Sequence, residues 1–131
     1  MNNFRCPKCN AYLNVCKQIV LAAENQKGEH GLILLHPELG NYTIDTHANF
    51  DVSHGEKLKF FCPACHKNLT SQKSEELAHI IMEDIDGAPF EIHFSKIKGE
   101  ESTYKVEGES VEYFGTRATK YLNYFNLSAY K

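Results

Sequence analysis

Two short stretches of the 131-residue chain read almost alike, Cys6-Pro7-Lys8-Cys9 and Cys62-Pro63-Ala64-Cys65, and they restrict the fold more than any other feature. Each places two thiols three positions apart across a proline, which suits a tight turn whose sulfurs face one ion. Two such turns supply the four ligands of a tetrahedral zinc site. Cys6, Cys9, Cys62 and Cys65 are therefore the expected metal ligands, holding one zinc ion per chain across the 52 residues that separate Cys9 from Cys62.

A closed four-sulfur zinc site has no redox chemistry and leaves no position for substrate. Iron in a rubredoxin-like site uses the same ligands and is the competing reading, which the colour of the purified protein decides. The opening residues lack the apolar core of a secretory signal, and no apolar run approaches the roughly 20 residues that cross a bilayer. The reading therefore places the chain in the cytoplasm, away from membranes, where thiols stay reduced or hold metal. Cys16, the fifth cysteine, is expected to be a small buried or partly buried side chain. His66, directly after Cys65, is sterically awkward as a ligand. A thioredoxin-like redox role asks for a CxxC at the start of a helix, and no helix-forming run follows either motif.

The formal net charge of −3 is unevenly spread. Residues 1 to 65 carry six basic and six acidic side chains, residues 66 to 114 five and eleven, and the last stretch three basic and none acidic. Four thiolates and one divalent ion bring the total to about −5. That balance disfavours broad phosphate neutralisation, and with it nucleic acid as the partner.

Along the chain, 19–23 and 31–35 read as two strands joined by a turn at 25–29, with a short strand at Tyr42-Thr43-Ile44, a polar loop at 45–49 and a half-buried strand at 57–61. The order then repeats. Leu69 follows Cys65 as Leu13 follows Cys9; strands at 77–82 and 90–94 flank an Asp86-Gly87 turn; Gly99 matches Gly40; and 103–106 matches 42–44. The stretch 52–61 aligns with 106–114. These matches predict an internal duplication of about 55 residues, each unit a knuckle, a long hairpin and two short strands, with the zinc on a pseudo-twofold axis. The alternative is one zinc ribbon with a long β insertion between its knuckles. Ala118, Tyr121, Leu122 and Phe125 recur at helical spacing between Thr116, a cap, and Leu127, so a short C-terminal helix is expected to pack its aromatics on the sheet. The fold class is mainly β, with a first unit at 1–59, a second at 60–114, and the helix and tail at 115–131.

No phosphate-binding, dinucleotide or nucleophile-elbow motif occurs, and no catalytic or cofactor-binding residue stands out. The histidines are scattered. His79 and His93 lie on opposite strands of the second hairpin, where they can meet across it, and their apolar neighbours favour hydrogen-bonded, partly buried side chains over ligands. Glu83, Asp84 and Asp86 read as a solvated hairpin tip.

The two knuckles, each followed after four residues by a leucine, resemble zinc ribbon proteins over about a quarter of the chain. The resemblance implies four-cysteine zinc ligation, a β-rich core and a role in nucleic-acid machinery or protein assembly; the long separation of the knuckles and the acidic second half depart from that pattern. The expected function is a non-enzymatic, zinc-stabilised adaptor that binds another protein. The alternatives are nucleic-acid binding through Arg5, Lys8, Lys57 and Lys59, and an iron or thiol redox protein. Open sheet edges also allow pairing with an identical chain.

Overall fold

The structure, a computed structural model, describes residues 2–125 apart from the side chain of Asn123. Period-two alternation makes the main strands. In β3 (Gln18–Glu24) Ile19, Leu21 and Ala23 point inward, and in β7 (Leu77–Glu83) Ala78, Ile80 and Met82 do so. Their partners β4 (His30–Leu35) and β8 (Pro89–Ser95) add Ile33 and Ile92. Residues that alternate this way must bury one face, and here the two inner faces bury each other.

One antiparallel sheet runs β1 (Asn3–Arg5), β7, β8, β9 (Thr103–Glu107) and β10 (Ser110–Phe114). The other runs β2 (Asn14–Val15), β3, β4 and β5 (Ile44–Thr46), with β6 (Lys59–Phe61) sharing the β3 edge with β2. The strands that lead into the knuckles are exchanged. β1 pairs with the second hairpin, Phe4 opposite Met82, and β6 with the first, Phe60 opposite Ala23. Phe4 and Phe60 thus sit in one core, where Phe60 meets Phe94 edge to face at 5.5 Å.

Knuckle-strand numbers shifted by 56 and hairpin numbers shifted by 59 carry one sheet's register onto the other's. Asn3 opposite Glu83 becomes Lys59 opposite Glu24, and Leu35 opposite Ile44 becomes Phe94 opposite Thr103. The hairpin turns agree as well: Asn25 and Asp84 each accept two main-chain amides on Oδ1, and Gly28 and Gly87 take φ of +80° and +83°. Only glycine adopts that conformation without a Cβ penalty. Between the inner faces lies a cavity of about 260 Å³, with Ile33, Ile44, Ile92 and Phe94 in its walls.

Several expectations need correction. The short strand after the first hairpin begins at Ile44 and runs through Asp45 and Thr46, because the ladder with β4 continues there; 45 and 46 are strand, not loop. Tyr42 precedes it, its hydroxyl bonding to Thr103 Oγ1 at 2.8 Å. The match of 52–61 to 106–114 fails: β10 forms a hairpin with β9, whereas β6 crosses to β3. Cys16 is exposed. With Val15 paired to Gln18, Cys16 and Lys17 are the two residues of a tight turn, at φ +50° and +67°, which a two-residue hairpin of this twist requires.

The C-terminal segment is a 3-10 helix at Ala118–Phe125, and 126–127 of the expected helix lie outside the described residues. Ala118, Tyr121, Leu122 and Phe125 are buried as the spacing predicts, against Leu77, Tyr104 and Val106 on the outer face of the β1/β7–β10 sheet. Tyr104 stacks on Phe125 at 4.5 Å and donates its hydroxyl to the Ala118 carbonyl. Thr116 bonds to Glu101.

Candidate metal centre

Each cysteine pair is shaped by its turn. The Cys6 and Cys62 amides donate to the carbonyls of Ala11 and Lys67, and the amides of Asn10 and His66 donate back to Cys6 and Cys62. The residue after the second thiol must then take a left-handed conformation, and Asn10 (φ +64°) and His66 (φ +66°) do. Asparagine and histidine are among the side chains that tolerate it. His66 therefore serves the turn and stands outside the sulfur cluster. Because proline has no N–H, the next amide turns to the first sulfur: Lys8 N to Cys6 Sγ at 3.2 Å, Ala64 N to Cys62 Sγ at 3.3 Å.

The four sulfurs of Cys6, Cys9, Cys62 and Cys65 lie within 4.8 Å of one another. Across the knuckles, Cys6 stands 3.8 Å from Cys65 and Cys9 3.8 Å from Cys62. A tetrahedron of sulfurs at 2.3 Å from a central ion has an edge of about 3.8 Å, so the cluster fits a metal held by four thiolates. Cys6 and Cys62 are buried, Cys65 is half-buried and Cys9 faces solvent. Without a cation the sulfurs ionise unequally. Burial pushes the Cys6 thiol up to about 12, while the Lys67 amide draws Cys65 down to about 7. A divalent ion removes that conflict, because it favours the thiolate form at all four positions.

The remaining candidates separate clearly. Arg5 pairs with Glu83 at 3.2 Å, Lys57 with Glu76 at 3.0 Å and Lys59 with Glu24 at 4.0 Å, so three of the four cations considered for phosphate binding already face carboxylates. Asp84 caps its own turn and Glu83 holds Arg5. His79 and His93 do meet, directly paired across β7 and β8 with rings stacked at 4.5 Å. Sequence reasoning missed their company: Glu91, two residues before His93 on the same face, and Ser71, whose hydroxyl lies 2.7 Å from His93 Nδ1. The Glu-x-His spacing was the available signal for the first; nothing local pointed to the second.

No helix among the described residues is long and apolar enough to cross a membrane. Compared with protein-family models, with curated proteins and with solved structures, the chain matches none.

Proposed function

We propose that the chain is a zinc-stabilised, non-enzymatic module that binds another protein, built by duplication of a zinc ribbon-like unit and working in a reducing compartment such as the cytoplasm. The cysteine cluster carries this reading. Two knuckles, each tied by its leading strand to the other unit's hairpin, converge on sulfur separations suited to one tetrahedral ion. Such a site closes on protein and leaves no coordination position for a substrate, which favours a structural ion. The shared register of the two sheets supports the duplication.

The binding face we propose is the outer face of the β2–β6 sheet. Val20, Ala22, Leu34 and Phe61 are only half-buried there, and Leu32 is 54% exposed. The corresponding face of the other sheet is covered by the chain's own Tyr121, Leu122 and Phe125. That internal precedent indicates the partner's chemistry: a short segment bearing aromatic and aliphatic side chains. The ion pairs at Arg5, Lys57 and Lys59 weigh against nucleic acid.

Metal analysis with an absorption spectrum on one sample tests the site. One tightly held zinc per chain and no colour is expected; iron with thiolate charge-transfer bands would instead make this an electron carrier. A pull-down with the wild type against Leu32→Asp tests the face. Specific capture of a protein by the wild type alone is expected, and equal capture by both would remove the β2–β6 face from the proposal.

A further inference from the structure

Three outward positions of the second hairpin carry titratable groups that their counterparts in the first lack. His79, Glu91 and His93 correspond in register to Val20, Leu32 and Leu34. The same strand pairing therefore accepts aliphatic side chains at all three places, and the strand pairing itself does not call for imidazole or carboxylate there. One ligand atom from each of the three lies within 4.8 Å of the other two. Glu91 Oε1 is 2.9 Å from His93 Nε2 and 4.0 Å from His79 Nε2. Three donors about 2.1 Å from one tetrahedral ion stand about 3.4 Å apart, between those two distances; the two rings, stacked nearly parallel at 4.5 Å, must turn out of the stack so that both Nε2 lone pairs meet at the ion.

We propose that His79, Glu91 and His93 form a second metal site, which takes a zinc-class divalent cation and keeps one coordination position open. Three further observations support it. His79 Nε2 is buried and has no hydrogen-bond partner among the described residues, so a lone pair or proton there goes unused in a place where that is costly. Ser71 Oγ, 2.7 Å from His93 Nδ1, can accept a hydrogen bond from Nδ1–H and leave Nε2 free as a ligand, the kind of supporting contact that ligating histidines make. The site opens onto a cavity of about 370 Å³ whose walls include Lys8, Gln72 and Lys73. Two histidines and one carboxylate with an open position is the ligand set of an exchangeable, Lewis-acidic zinc rather than a structural one. The two lysines favour water or a small anion in the open position.

The test does not depend on which ion the cysteines hold. Full-length protein carrying its first metal equivalent is titrated with Zn²⁺ while the imidazole nitrogens are followed by NMR. One further equivalent should bind, shifting the Nε2 signals of His79 and His93. Ser71→Ala should weaken that step about 10-fold. The combined variant His79→Val, Glu91→Leu, His93→Leu, which borrows the first hairpin's residues, should lose the second equivalent and keep the first. Imidazole signals that stay fixed on zinc addition would overturn the proposal whether or not the combined variant folds. So would a second equivalent that persists in a folded combined variant. Loss of the first equivalent alone would count against the cysteine site and leave this one standing.

Discussion

On the outer face of the β2–β6 sheet, Val20, Leu32 and Leu34 form an aliphatic patch with nothing from the described residues packed over it as the 3-10 helix packs over the other sheet. On the β1/β7–β10 sheet, the positions in the same register hold two stacked imidazoles and a carboxylate, and the aromatic 3-10 segment packs alongside, Phe125 edge-on to His93 at 5.3 Å. The inner faces of the two sheets barely differ in character, since both must fill one core. The outer faces diverge because no shared core constrains them. A difference between positions in the same register therefore points to where the outer faces are free to carry different chemistry.

The largest expected effect strikes both halves together. Each knuckle strand belongs to the other half's hairpin, so removing the metal with a chelator, or replacing Cys62 with Ser, should cost on the order of 5 kcal/mol or more and melt both sheets in one transition. Hydrogen exchange read by hairpin checks it. Retention of full protection in one hairpin alone would break the picture of two interdependent halves. Next comes the covering segment. Phe125→Ala removes a buried ring stacked on Tyr104 and should destabilise the chain by about 3 kcal/mol in denaturant titration, whereas Leu32→Ala on the uncovered face should cost less than about 1 kcal/mol. Comparable costs would mean that the two outer faces are equally buried in solution.

The imidazole pair separates the halves by pH. Burial lowers the His79 pKa to about 4, while an unfolded imidazole protonates near 6.5, so between these values the unfolded state holds more protons and stability falls as pH drops. The loss should be on the order of 2 kcal/mol across that window. The double variant His79→Val, His93→Leu should abolish this part of the decline while keeping whatever the cysteines contribute; equal slopes in the two proteins would exclude a buried neutral pair. The smallest effect concerns the tight turn between β2 and β3. Replacing Cys16-Lys17 with Asn-Gly, the pair best suited to positive φ at both positions, should raise stability by about 1 kcal/mol without altering metal content.

Both hairpins were legible because alternation at period two survives in the residues themselves: Ile19, Leu21 and Ala23 in one, Ile80 and Met82 in the other, each pair of strands closed by a glycine turn. The covering segment was legible through Tyr121, Leu122 and Phe125, although its 3-10 form was not, since i and i+3 recur in both helix types. The extent of β5 was hidden because Asp45 and Thr46 are polar, and only the ladder with Leu34 and Ile33 keeps them extended. Cys16 misled because cysteine is commonly buried, whereas a two-residue turn exposes whatever occupies it.

The sequence by itself determined which groups can hold a metal, because thiols spaced three apart around proline carry their geometry locally. It also determined which strand faces turn inward. Which strand pairs with which was decided by the tertiary structure: main-chain hydrogen bonds are the same for every residue, so nothing in Asn3–Arg5 or Lys59–Phe61 announces that each crosses to the other half. The meeting of Ser71, His79, Glu91 and His93 was decided there too, since it depends on cross-strand register and on a loop folding back, and neither is written in any one segment.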